Sequence, residues 1–414
     1  MKIIDELNEV LSNDLCSGCG ACAAINNNVE VKIDDDGYSR PIISSDSSKN
    51  GESDRNISLK EYCPGLAVPM EDGFPDRDSV WGNIVGIYNG YSVDESLRFS
   101  GSSGGVISAI CNYALTSGYA DFVINVSASD NSIDNETKIR ESGFDFCESA
   151  GSRYSPASPA SQLRHVIENN GKYVFVGKPC DVAALKNLQG VIPELRERVV
   201  LSISFMCAGT PSMKSTDEII EKLGGERNKT VSFKYRGGGW PGLTEAKFDS
   251  GITNSMEYSE SWGRILNKTL QHRCKVCADG IGELADIVCA DSWECDEKGY
   301  PLFAEKNGMS MVIARTNKGK QFVDLSRMNG KIELLDFDIT SLPKIQPFQY
   351  YRRTSMFARI LALKVLGYKA PRYKGFSLVK VAFKAGIVMN IKAFWGMVVR
   401  KNRIKVRKVK INGR

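Results

Sequence analysis

Read along the chain, the alternation of apolar and polar positions changes character twice. Residues 2–12 read as a short helix, and Val29-Glu30-Val31-Lys32-Ile33 then alternates with the period of two expected of a strand. Asp34-Asp35-Asp36-Gly37 supplies a turn, and Tyr38 to Ile43 is the return strand of a hairpin. Residues 44–60, rich in Ser, Asp, Asn and Lys, read as an exposed loop. From about Ile84 the pattern becomes strands alternating with helices. Val106 to Thr116 is helical, Tyr119 to Val126 is a buried strand, and Gly171 to Gly177 is another. Lys178-Pro179-Cys180-Asp181 turns into a helix containing Val182 to Leu188, and a strand from Val199 to Phe205 runs out into Met206-Cys207-Ala208-Gly209-Thr210. Near the end, Ser377 to Val399 carries Lys380, Lys384 and Lys392 at spacings of four and eight, with Phe383, Ile387, Ile391, Phe394 and Val398 on other faces.

Composition narrows this only a little. A chain of 414 residues, 42% hydrophobic and 25% charged, has material for two or three domains and excludes a wholly disordered protein. Charge is more informative. All 49 acidic residues lie at or before Asp338, with 35 lysines and arginines; the 76 residues that follow hold 19 basic residues and no acidic one. An acidic body with a basic tail is expected, divided as 1–80, 81–340 and 341–414. Three lysines inside the apolar run argue against a spanning helix. An amphipathic helix lying in the plane of an anionic membrane surface, followed by the basic run from Arg400 to Lys410, is one expectation. A helix packed on the acidic body is the other, and nothing in the body supports nucleic-acid binding.

Chemistry is concentrated in the cysteines. Cys16-Ser17-Gly18-Cys19-Gly20-Ala21-Cys22 has C-x2-C-x2-C spacing, which suits three thiolate ligands of a [4Fe–4S] cluster. Its glycines let the backbone turn N–H groups toward sulfur. The place where a two-cluster ferredoxin would continue is Ala23-Ala24-Ile25-Asn26, so Cys63 before Pro64 is the candidate fourth ligand. A zinc knuckle is the alternative, although this spacing suits tetrahedral zinc poorly. Cys180 and Cys207 at strand ends, with Cys274-x2-Cys277, form a possible second set; Cys289 and Cys295 are rival ligands, while Cys111 and Cys147 read as packing residues. Met1 to Leu7 lacks the apolar core of a signal peptide, so metal ligation in a reducing compartment is expected rather than disulfides, with a cytoplasmic location. A hairpin beside such a loop suggests a ferredoxin-like 4Fe–4S module. The expected fold is therefore α+β: a mixed α/β core with that module in front and a basic helical tail behind.

Ser102-Ser103-Gly104-Gly105 precedes a helix, where small residues let a phosphate approach first-turn N–H groups; an ordinary loop is equally compatible. Arg236-Gly237-Gly238-Gly239-Trp240-Pro241-Gly242 is a glycine-rich turn with a cation and a large aromatic. Neither His165 nor His272 has the setting of a general base, and no catalytic proton donor can be named.

Taken in order, Cys16/Cys19/Cys22, Ser102 to Gly105, Gly177 to Cys180, Cys207, Arg236 to Gly242, Cys274/Cys277 and Ala285-Asp286-Ile287 resemble the family of coenzyme F420 hydrogenase/dehydrogenase beta subunits over about residues 10–345. The resemblance implies an FAD-binding core, an adjacent [4Fe–4S] cluster and often an N-terminal ferredoxin module with another. By the same resemblance Ser102, Ser103, Gly104, Gly105, Ser152, Arg153, Tyr154, Arg236, Asp291 and Ser292 would line the flavin. Arg236 would neutralise phosphate or reduced flavin, and Trp240 would cover a ring face. Lys178-Pro179-Cys180-Asp181 and the basic tail look more like members from surface-polysaccharide gene sets, which leaves use of coenzyme F420 as substrate open. The expected activity is an iron–sulfur flavoprotein oxidoreductase passing electrons between a ferredoxin-type or deazaflavin partner and a small two-electron substrate. The alternatives are a non-catalytic electron-transfer subunit of a larger complex, and a membrane-associated scaffold without flavin. A homo-oligomer is compatible with all three.

Overall fold

The computed structural model describes residues 2–44, 55, 57–69, 77–130, 133–293, 306–401 and 410–411. After the helix Lys2–Ser12, the cysteine loop turns on two glycines with positive φ, Gly18 at 73° and Gly20 at 90°. A Cβ on Gly20 would come within 2.9 Å of the Ser158 carbonyl oxygen, so contact with a distant segment demands glycine here. The short helix Ala21–Ile25 follows, then the hairpin of β1 (Val29–Ile33) and β2 (Ser39–Ile43), in the expected antiparallel register with Val31 opposite Pro41. Helix Leu59–Tyr62, fixed by a Ser58/Glu61 capping box, delivers Cys63 at its C-terminal end, and β3 (Ala67–Val68) comes next.

The centre is an eight-stranded sheet. Its strands are β4 (Gly86–Ser92), β5 (Phe122–Ala128), β6 (Asn135–Arg140), β7 (Tyr173–Val176), β8 (Val199–Phe205), and, after a separate three-stranded antiparallel sheet of β9 (Thr230–Lys234), β10 (Leu243–Phe248) and β11 (Thr253–Glu257), the later β12 (Ile287–Asp291), β13 (Ser310–Ala314) and β14 (Ile332–Asp336). The spatial order is β14-β4-β13-β12-β8-β7-β5-β6. The inner four, β12-β8-β7-β5, are parallel, and antiparallel strands extend the sheet on both sides. Burial on both faces accounts for continuous apolar runs such as Tyr173–Val176, which is buried at every position. The C-terminal ends of the four parallel strands open on one edge, where open α/β sheets bind their ligands. The fold is thus mixed α/β, as expected.

The three expected regions do not have separate interiors. One buried cluster runs from Leu7, Val10 and Leu15 through Phe175, Val182 and Leu185 to Met356, Leu363, Phe376 and Met397. Strand pairing reinforces this: Arg372–Tyr373 adds to β3, and Lys410–Ile411 adds to β2, both in parallel. The C-terminal segment is therefore docked, for the reason its composition suggests. Its basic residues have no acidic neighbours in sequence and find them on the body. Arg353, 1% exposed, pairs with Glu283 at 3.1 Å and donates to the Ala278 carbonyl at 3.0 Å; Lys369 pairs with Glu9 at 2.8 Å. Of the apolar residues expected on the last helix, Phe394 and Val398 pack inward, whereas Phe383, Ile387 and Ile391 face solvent beside the lysines. The helix itself breaks into Leu378–Ala382, a 3-10 turn and Gly386–Lys401.

Replacing Arg353 by methionine removes one partner of a buried ion pair and leaves Glu283 with Arg77 alone. The expected loss is about 3 kcal/mol, at the lower end for a broken buried pair, read as a lower urea midpoint of one cooperative transition. Two separate transitions, with only the smaller one shifted, would show that the C-terminal segment folds apart from the body.

Candidate redox site

Two sets of four thiols lie on loops that contact each other. Cys16, Cys19 and Cys22 come from the glycine loop and Cys63 from the end of its short helix; the four sit within electrostatic reach of one another. Cys180 opens the helix Pro179–Gln189 after β7, Cys207 follows β8, and Cys274 and Cys277 flank the end of helix His272–Lys275. Cys180, Cys207, Cys274 and Cys277 form a second mutually interacting group. Burial pushes Cys19 up to about 11 and Cys207 to about 12, and raises Cys22, Cys63 and Cys180 well above the ordinary thiol value. These five thiols are protonated at neutral pH unless something binds their anions.

Backbone amides favour such anions. The N–H groups of Ala21, Ala23, and both Gly65 and Leu66 serve Cys19, Cys22 and Cys63, and Thr210 N–H donates to Cys274 Sγ at 3.3 Å. Among the described residues, no group of three or more His, Cys, Asp or Glu side chains converges on a single ion. A cuboidal cluster requires something else: each thiolate takes its own iron at its own corner, so the four sulfurs stand around a shared volume. The first set, four thiols in mutual electrostatic reach with four N–H donors, and the second, with the Thr210 N–H at Cys274, have the ligand number and donor type such a cluster uses.

The sets adjoin through the main chain. Gln271 donates to the Ser17 carbonyl at 3.0 Å, and the buried Arg273 donates to the Pro64 carbonyl at 2.7 Å. On the other flank Ala160 N–H reaches the Cys19 carbonyl, Ser158 reaches that of Gly18, and Lys178 Nζ bonds both Ala157 O and the buried Asp181. Asp181 also lies close enough to both Cys19 and Cys180 to oppose their ionisation. From the C-terminal segment, Arg352 donates to the carbonyl of Cys207 at 2.7 Å and Gln349 to the same oxygen at 3.2 Å. Gln271, Arg273, Gln349 and Arg352 escaped the sequence reading. Their signal is faint: the Arg352-Arg353 pair stands in a region with no acid to receive it.

Cys289, the rival ligand, lies apart from both thiol sets. It points from β12 into the core on the other face of the sheet, near Cys111, whereas Cys180 belongs to the helix layer packed on the first face. Cys295 lies outside the described residues. His272 is buried, and burial together with Lys401, Arg273 and Arg400 lowers its pKa to about 3; it is a neutral packing residue. His165 packs among Phe122 and Tyr173.

Beside the second set, the ends of β12 and β13 meet three glycine-rich loops. Ser103 hydroxyl donates to Met309 O at 2.9 Å, Gly104 N–H donates to Ser310 Oγ at 2.9 Å, and Ser102 shares a 2.6 Å hydroxyl contact with Ser152. The glycines chiefly serve chain-to-chain packing here: a Cβ on Gly104 would lie 2.5 Å from Gly90 O, and Gly105 begins helix Val106–Thr116 at φ 71°. Arg236 differs from the expectation of a free cation. It is buried and paired with Asp291 through contacts of 2.8 and 3.0 Å, and its Nε donates to Pro241 O at 2.6 Å. Trp240 donates to the same carboxylate and stacks on Trp293 at 4.8 Å. Ser292 bonds Asn89 of β4. Arg153 turns away to the carbonyls of Ile133, Asp134 and Phe233, and Tyr154 packs with Trp262 and Tyr235. Ser102 to Gly105, Ser152, Arg236, Asp291 and Ser292 therefore gather at one edge; Arg153 and Tyr154 support it from behind. One residue joins this edge to the thiols, since Gln346, just before the helix that carries Gln349, donates to Asp291 O at 2.8 Å.

Clustered thiols and a group of polar side chains at the C-terminal edge of a parallel sheet characterise this mixed α/β protein. The chain belongs to the family of coenzyme F420 hydrogenase/dehydrogenase beta subunits: models of the N-terminal and C-terminal regions of those proteins match residues 87–164 and 170–339. Membership makes it an electron-transfer oxidoreductase. Similar proteins include an uncharacterised protein of Methanocaldococcus jannaschii, 25% identical over 78% of this chain and 90% of that one. A component of the F(420)H(2) dehydrogenase of Methanosarcina mazei is 23% identical over 77% of this chain and 84% of its own length. In fold the chain resembles the F420-reducing [NiFe] hydrogenase complex of Methanosarcina barkeri, with a TM-score of 0.54 and 20% identity over 72% of this chain and 98% of the matched one.

Asp286, from the Ala285-Asp286-Ile287 motif, is structural. It accepts from Ser202 N and Oγ at 2.8 and 2.7 Å and from Thr316 at 2.9 Å. Burial raises its pKa, but Lys186, Lys318 and Ser202 outweigh this and hold it below the usual value. Its contribution to stability is therefore complete above the unfolded value of about 4 and is lost as pH falls through the lower folded value. Asp286→Asn is expected to destabilise the chain at pH 7 and to lose less stability than the parent between about pH 4 and pH 2, measured by urea unfolding of both at each pH.

Proposed function

We propose that this chain is an iron–sulfur flavoprotein that relays electrons one at a time through two [4Fe–4S] clusters to FAD, and exchanges electron pairs with a small substrate. The single observation behind this reading is the adjacency of two four-thiol sets, one hydrogen-bonded layer apart, with the second linked through the Gln346–Gln349 segment to the polar edge at Asp291. Cys16, Cys19, Cys22 and Cys63 would hold the first cluster, and Cys180, Cys207, Cys274 and Cys277 the second. Ser102 to Gly105, Ser152, Asp291 and Ser292 would line the flavin. The flavin, when bound, supplies the exchange between one-electron and two-electron transfer. The protein's own part is to exclude water from the thiol sets, present N–H groups to sulfur and fix the spacing between the loops. Arg236 would act through Asp291, orienting that carboxylate rather than meeting phosphate itself.

The names of the relatives make coenzyme F420 the first substrate to try, with a ferredoxin or another protein of a larger complex at the one-electron end. The second reading, an electron-transfer subunit whose partner carries the substrate site, is favoured by the F420-reducing hydrogenase complex it resembles. Anaerobic purification followed by iron, sulfide and flavin analysis distinguishes cluster from zinc directly. About eight irons per chain are expected, falling to about half in both Cys19→Ser and Cys277→Ser. Cys19→Ser should retain flavin, whereas Cys277→Ser should block flavin reduction by a one-electron donor. Unchanged iron in either variant, or zinc in place of iron, would refute the ligand assignment. Turnover of reduced F420 by the isolated chain supports the enzyme; reduction only with a partner bound supports the electron-transfer reading.

A further inference from the structure

The last helix leaves one face uncovered. On Gly386–Lys401, Met397, Phe394 and Lys401 turn inward, with Met397 fully buried in the first core, and Val398 is half-buried where the outer arc meets that core. At about 100° per residue, Ile387, Ile391, Trp395, Val388 and Val399 share an arc of roughly a third of the circumference on the outside. They are 79%, 53%, 61%, 67% and 55% exposed, and Phe383, in the turn just before, is 82% exposed. Lys380, Lys384, Lys392 and Arg400 are exposed around them.

We infer that this face is a membrane-docking surface that lies in the plane of an anionic bilayer, with the large apolar side chains in the acyl boundary and the lysines among the headgroups. Two observations select lipid over a protein partner. The stripe is made of aliphatic and aromatic residues with Trp395 and Phe383 among them, the composition of interfacial helices. Its surroundings contain no carboxylate of their own sequence, because the chain has no acidic residue after Asp338, and the helix leads into the basic run Arg403-Ile404-Lys405-Val406-Arg407-Lys408. Residues 378–401 are also long and apolar enough to cross a membrane by length and composition. Crossing would pull Met397, Phe394 and Val398 out of the core, so in-plane docking is the arrangement the packing permits.

The test uses the full chain with its native cofactors and vesicles of phosphatidylcholine with and without phosphatidylglycerol. The parent should sediment with the anionic vesicles, and less so as salt rises. In Ile387→Glu/Trp395→Glu the bound fraction should fall at least about tenfold at unchanged iron content and unfolding temperature, because both side chains are exposed. A Lys380→Gln/Lys384→Gln/Lys392→Gln variant should lose much of the preference for anionic lipid. Should the glutamate variant fold poorly, brominated lipid supplies a second readout: it should quench fluorescence of the parent more than that of Trp395→Phe. Equal binding by parent and glutamate variant, or equal quenching of parent and Trp395→Phe, would overturn the proposal. A parent that ignores vesicles and forms a dimer abolished by the glutamate substitutions would overturn it in favour of a second copy.

Discussion

Two hydrogen bonds to main-chain carbonyls hold one thiol loop against the other: Gln271 to Ser17 and Arg273 to Pro64. Neither carbonyl belongs to regular structure, and each would be an unsatisfied polar group in the interior without its donor. Arg273 carries its charge into a fully buried setting, where the nearby thiols and the ring of Tyr373 favour the cation and burial opposes it. That arrangement settles where the N-terminal loop sits relative to the sheet edge. Ala160 and Ser158 hold the same loop from its other flank, and Arg352 and Gln349 hold the Cys207 turn from the C-terminal side.

The legible parts of the molecule were those set by local rules. Strand periodicity placed Val29–Ile33 and Val199–Phe205, and helical spacing placed Val106–Thr116, because hydrogen bonding within a few residues or burial on both faces leaves a regular trace. The C-x2-C-x2-C spacing likewise put Cys16, Cys19 and Cys22 on one local loop. The roles of Arg236, Arg153 and the glycines were not legible, since each depends on contacts made only in the folded chain. Arg236 meets a carboxylate 55 positions away, and Gly104 is required by the carbonyl of Gly90. Composition revealed that the tail was basic but not that its charge would be spent on Glu283 and Glu9.

Charge and packing have divided the C-terminal segment between two tasks. Its arginines at 352 and 353 face inward, binding carbonyls and Glu283, and stabilise the thiol-bearing edge. Lys380, Lys384 and Lys392 remain outside with the apolar stripe. A basic run read from composition alone suggests one electrostatic surface; the structure separates buried arginine, suited to several directed hydrogen bonds, from solvated lysine.

The continuous core from Leu7 to Met397 also bears on how the protein is made. Chain synthesis proceeds at about 5–20 residues per second, so roughly 20–80 s separate the appearance of Cys22 from that of Met397. During that interval the first loop lacks Arg273, then the strand from Arg372 to Tyr373, then the closing helix. Its thiols are more open to solvent in the nascent chain than they ever are afterwards. The loop's neighbours are thus completed only when the segments carrying Arg273 and Arg372–Tyr373 have both been made.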